Sequence, residues 1–101
     1  MNNSTTIFIS PNNNIIYQNV NDCYCVYLKD IKKAAVLNIS ASCIFHFLQN
    51  KIQNDCTAIT FGDIIEEVKS KFTIPRENEE NLKKDIEEVI TKFKEIGLFV
   101  S

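Results

Sequence analysis

Four thiols, Cys23, Cys25, Cys43 and Cys56, and a single imidazole, His46, are the residues of this chain whose types invite a search for chemistry. A structural zinc centre takes four ligands in paired spacings. Cys23-Tyr24-Cys25 in a strand would project two thiols from one face, but Cys43, Cys56 and His46 follow at intervals with no metal-site pattern. Free cysteine is ordinarily a small buried hydrophobe, and that reading suits all four. A nucleophilic pair fares no better. Cys43 and His46 would be i, i+3 neighbours on a helix, yet nothing supplies an orienting acid or oxyanion donors. Gly62 and Gly97 are the chain's only glycines, too few for a phosphate-cradling loop. The sequence therefore predicts a chain that is not an enzyme, holds no metal and needs no cofactor.

Binding is the remaining class, and charge narrows it. A net charge of -2 offers no attraction for nucleic acid or anionic lipid. MNNSTTIFIS lacks the basic n-region and apolar core of an export signal, and no later apolar run reaches membrane-spanning length. A cytoplasmic protein with reduced thiols and no membrane partner is expected. A length of 101 residues suits one domain, and 45% apolar with 24% charged residues is the balance of a globular one.

The elements that must position any binding surface can be read along the chain. Residues 1–13, with NNST and PNNN around a short TIFI run, predict a mobile segment, and 14–101 a single domain. IIYQNV (15–20), CYCVYL (23–28) and AAVLNI (34–39) predict three strands in an antiparallel meander. After Ile39 the period changes. Ser40 is the expected N-cap of a first helix, with Ile39 and Ile44 as its hydrophobic staple and Ala41, Ile44, Phe45, Leu48 and Ile52 as its apolar face.

Thr60 with Asp63, flanked by Ile59 and Ile64, predicts a capped second helix whose apolar face is Ile64, Ile65, Val68 and Phe72. A third helix is expected from about Glu79 to Ile96, capped by Asn78 and closed by Gly97, with Leu98 folding back on Phe93. Strands followed by helices predict an α+β fold, βββααα, winged-helix-like in its packing.

A winged helix raises the possibility of a nucleic-acid-binding regulator. Along 77–96, however, Glu77, Glu79, Glu80, Asp85, Glu87, Glu88 and Glu95 outnumber Lys83, Lys84, Lys92 and Lys94, so the third helix would repel phosphates. No nucleic-acid partner is expected. A purely structural interaction domain is the other alternative. At about 100° per residue, Leu82, Ile86, Val89, Phe93 and Ile96 form the core stripe of this helix, and Ile90 falls to one side beside Lys83, Glu87 and Lys94. An apolar residue among charges on a flank suits a groove for a peptide, although a wide core stripe edged by lysines has the same pattern.

Local words in this order carry a resemblance. AAVLNISASCIFHFL resembles the strand-to-helix junction of PqqD-like proteins, where a Leu-Asn pair ends the third strand and a Ser or Thr-Ala pair opens the first helix. ITFGDIIEEVKSKF resembles their second helix, and NEENLKKDIEEVITKFKEIGLF their third, with Asp85-Ile86 and Gly97-Leu98 in matching places. The resemblance spans about residues 14–99; in the first two strands only the hydrophobic pattern agrees.

It implies a RiPP recognition element, a module that binds the leader of a ribosomally made, post-translationally modified precursor peptide. The leader would lie in extended form beside the third strand, at Lys33, Ala34, Ala35, Val36, Leu37 and Asn38, and pack on the third helix at Lys83, Ile86, Glu87, Ile90 and Lys94. The implied partners are that leader peptide and a modifying enzyme: a radical SAM maturase first, a lasso-type leader peptidase second. An edge strand offers unpaired main-chain donors and acceptors for such an addition, and the small Ala34 and Ala35 would permit close approach.

Overall fold

Two turns shape the sheet. The computed structural model describes all residues, 1–101, and in it β2 (Ile15–Val20) and β3 (Cys23–Leu28) meet through Asn21 and Asp22. Both turn residues have positive φ, 52° and 65°, the geometry of a two-residue hairpin turn that follows the natural twist of the strands. A longer turn, closed by Lys32 at φ 53°, returns the chain as β4 (Lys33–Val36). The sheet order is β2-β3-β4, antiparallel throughout, with Val26 opposite Ala35 and Cys25 opposite Val36. Val26 and Leu28 face the core; Cys25 and Tyr27 face solvent. The three-stranded antiparallel sheet and the α+β class are as the sequence predicts.

The segment before residue 14 differs from the expectation of a mobile tail. Thr6–Phe8 form a strand, β1, paired antiparallel with β5 (Ala58–Thr60) in a second, two-stranded sheet. Ile7 and Ile9 are buried, and Ile9 bridges to Val100. Chain start, middle and end thus meet at one place. The Asn-rich flanks read as loop, but the TIFI run gains its partner from β5, far along the chain, which a local reading cannot see. Gly62 allows the close approach of this segment: its N–H donates to the Asn3 carbonyl at 2.9 Å, and a Cβ there would stand 3.0 Å from that oxygen.

The first helix, α1 (Ile39–Gln53), starts earlier than the Ser40 cap predicts. Asn38 is the N-cap, its side-chain oxygen accepting from the Ala41 N–H at 2.8 Å. Asn caps as well as Ser does, and Ser40 instead donates its hydroxyl to the Asn38 side chain. Ile39 therefore sits at the first helical position, 55% exposed, and forms no staple. The apolar face is as expected: Ala41, Ile44, Phe45 and Leu48 are buried and Ile52 half-buried.

The second helix, α2 (Phe61–Lys71), has the reciprocal capping box of Thr60 and Asp63. A short 3-10 turn, Arg76–Asn78, leads into α3 (Glu79–Ile96), and Asn78 makes no side-chain cap bond. At its end Gly97 takes φ 74°, and the Leu98 N–H donates to the Phe93 carbonyl at 2.8 Å. That is the expected Schellman ending.

These elements enclose one core in which Phe45, Phe61, Phe93, Ile44, Ile64 and Leu98 are fully buried. Each such side chain contributes about 1.5–3 kcal/mol on removal from water. Phe45 is its centre, with the rings of Tyr17, Tyr24 and Phe99 at 5.4, 4.7 and 5.2 Å.

A candidate peptide-binding cleft beside the third strand of the sheet

The corner between β4 and α1 sets the geometry. The Leu37 N–H donates to the Tyr24 carbonyl at 2.8 Å, which fixes the phase of the ladder. Lys33, Ala35 and Leu37 turn their main-chain groups toward β3; Ala34 and Val36 turn theirs outward. Since β4 is an end strand, that outward edge has no partner strand. The reciprocal bond, from Tyr24 N–H to the Leu37 carbonyl, is replaced by an inserted hydroxyl. Ser42 accepts from the Tyr24 N–H at 2.9 Å and donates to the Leu37 carbonyl at 3.2 Å. This buried serine, 2% exposed, wedges the strand ends apart and clips α1 to both.

Across from the edge stands α3, and between them lies an open cleft of about 580 Å³. Its sheet-side wall is Ala35, Val36, Leu37 and Asn38 with Ser40 and Ala41 from α1. Its helix-side wall is Asp85, Glu88, Val89, Lys92, Phe93 and Ile96. The floor is apolar, from Leu37, Ala41, Val89, Phe93 and Ile96. The charges stand only on the helix wall.

The residues singled out from the sequence divide clearly. Ala35, Val36, Leu37 and Asn38 line the cleft, and Lys33 and Ala34 continue the exposed edge above it. On α3 the arrangement differs. Ile86 and Ile90 are each 2% exposed and belong to the core, so Ile90 is not a flank residue. Lys83 lies 3.8 Å from Glu80, Glu87 lies 3.1 Å from the Met1 amine, and Lys94 is exposed; none lines the cleft. The reason is rotational. A wheel gives the spacing of apolar residues but not which of two neighbouring lines faces the other helices. α3 packs on α2 and buries Ile86, Ile90 and Phe93 in the core, leaving Val89 and Ile96 half-buried on the cleft beside β4. The signal that could have found them was present: Val89 and Ile96 are the apolar residues on the flank that also carries Asp85, Glu88 and Lys92.

A second depression, about 430 Å³, lies by the β2–β3 turn and holds Cys43, His46, Glu67 and Lys71. Burial, with the nearby Glu67 carboxylate, pushes the Cys43 thiol above its ordinary value of 9.0. That is the direction opposite to nucleophile activation. His46 is taken up by the Tyr24 hydroxyl at 3.2 Å and by Asn50 at 3.3 Å. All four cysteines are free, and no group of three or more His, Cys, Asp or Glu side chains is arranged to hold a metal. No helix is long and apolar enough to cross a membrane.

No protein-family model matches the sequence, and no curated protein matches it. Among solved structures the fold is similar to that of TbiB1 in complex with the TbiA(beta) leader peptide, with a TM-score of 0.69. The alignment covers 90% of this chain and 94% of that one at 9% identity. Two chains so different in sequence share one arrangement of sheet and helices, and the structure of the other was determined with a peptide bound.

Proposed function

We propose that this chain is a peptide-binding adaptor of the PqqD-like, RiPP recognition element type. It captures the leader of a ribosomally made precursor in extended form along β4 and presents the rest of that precursor to a modifying enzyme. The observation that carries this reading is the open main-chain edge at Ala34 and Val36 beside the apolar cleft walled by α3. Edge pairing supplies affinity that is independent of side chains, and the cleft supplies selection. The similarity to a fold solved with a leader peptide supports the same assignment. A radical SAM maturase is the first client to test and a lasso-type leader peptidase the second, both in the cytoplasm. The adaptor needs no cofactor and performs no chemistry of its own. The excess of acids over lysines along α3 weighs against the nucleic-acid alternative, since that helix would repel phosphates.

Val36→Pro tests the mode of binding. The Val36 N–H points out of the sheet, so proline there removes a donor for an incoming strand without breaking the ladder to β3, as edge strands allow. The variant should keep its unfolding midpoint and lose about tenfold or more in affinity for the leader encoded beside its gene, measured by calorimetry. Amide shifts on titration should centre on Ala34 to Asn38. Undiminished affinity, with shifts confined to α1 and α2, would remove β4 from the site.

A further inference from the structure

The two walls of the cleft are electrically unequal. Ala35, Val36, Leu37, Asn38, Ser40 and Ala41 carry no charge, while Asp85 and Glu88 stand on α3 facing them. The ion pairs of the structure join Met1 with Glu87, Lys69 with Glu79, and Lys83 with Glu80; neither acid of the cleft is in one. Lys92 is the only cation on either wall. It follows Glu88 by one helical turn, and both also border an adjoining polar depression on α3 together with Lys84. Asp85 has less relief. It separates the cleft from a further depression lined by Thr73, Ile74, Pro75, Asn78, Asn81 and Leu82, which holds no cation.

We infer that the occupant of the cleft is a peptide with a basic side chain, Lys or Arg, facing Asp85 and Glu88, followed at alternate positions by apolar side chains over Val89 and Phe93. This rests on the adaptor reading and specifies its ligand. The spacing is what makes it specific. Side chains on one face of an added strand recur about every 6.7 Å, and successive turns of α3 from Asp85 to Val89 to Phe93 advance by about 6 Å each. A strand lying along the helix therefore meets the acids with one side chain and the apolar floor with the next two on that face. An acidic side chain at the first place would meet two carboxylates, with Lys92, one turn beyond Glu88, as the one cation on the wall.

The probes are short acetylated and amidated threonine peptides with Leu at two alternate positions and Lys, Gln or Glu at the third, made in both chain directions. Their affinities follow from amide titration of the labelled full chain. The Lys peptide should bind best and the Glu peptide worst, with about three- to tenfold between Lys and Glu at low salt and less as salt rises. Replacing Asp85→Lys together with Glu88→Lys, both exposed, should reverse the order. Equal affinities with shifts at Ala34 to Asn38 overturn the charge preference and leave the adaptor reading standing. A preference for Glu also overturns it. If no peptide shifts these amides, strand addition fails, and this inference falls with it.

Discussion

Ser42 is the residue whose removal reports most directly on how the cleft is built. Its hydroxyl stands between the Tyr24 N–H and the Leu37 carbonyl, at 2.9 and 3.2 Å, where an uninterrupted ladder would join the two directly. In Ser42→Ala both main-chain groups lose their partner at a place where little water enters, since residue 42 is 2% exposed. An unsatisfied buried polar group costs about 1–3 kcal/mol. The variant is expected to lose about 2 kcal/mol, which for a domain of this size is a fall in Tm of about 10 °C. Urea unfolding gives the free energy, and hydrogen exchange at the Tyr24 amide gives the site, where exchange should quicken. Ser40→Ala is the control: it removes only a bond to the Asn38 side chain and should change stability by less than about 0.5 kcal/mol. A Ser42→Ala protein as stable as its parent, with an equally protected Tyr24 amide, would refute the wedge.

Two further outcomes follow from burial and charge. Ile90→Ala, at a site 2% exposed, should cost about 2–5 kcal/mol in urea unfolding, as core truncations do; a neutral result would return Ile90 to the surface. The Lys69–Glu79 pair, 2.7 Å apart, makes stability depend on pH at both ends. The hydrogen bond from Lys69 holds the Glu79 carboxyl below its ordinary 4.5, so its contribution is present above that value and lost as pH falls through the depressed one. The same bond raises Lys69 above 10.5, so its contribution is lost as pH rises through the raised value. Lys69→Met should flatten the acid limb of the stability profile below about pH 5. Parallel acid limbs in urea midpoints would show that the pair contributes nothing in solution.

How much of this was legible in advance depends on how far along the chain the deciding contact lies. The Thr60–Asp63 capping box, the Gly97 ending and the strand words IIYQNV and CYCVYL are made of residues close in sequence, and they stand where their letters place them. The Asn38 cap was a near miss of the same local kind, because Asn and Ser, two residues apart, are equally able caps. The strand β1 was not legible. Its partner β5 lies on the other side of four elements, and Asn-rich flanks outweighed a run of four letters.

The candidate site divides along the same line. The meander of three strands was readable in the sequence and leaves β4 at an edge, while the choice of that strand and of Ala35 to Asn38 came with the resemblance to PqqD-like proteins. Only the tertiary structure decided which face of α3 looks across at it. A helix wheel specifies an apolar stripe to within about one residue step of 100°, and that uncertainty is the difference between Ile90 in a groove and Ile90 in the core. Packing of Ile86, Ile90 and Phe93 into the core fixed the rotation, placing Val89 and Ile96 with Asp85 and Glu88 on the cleft. Rotation about a helix axis is a property of two packed surfaces, and one helix's sequence holds only half of it.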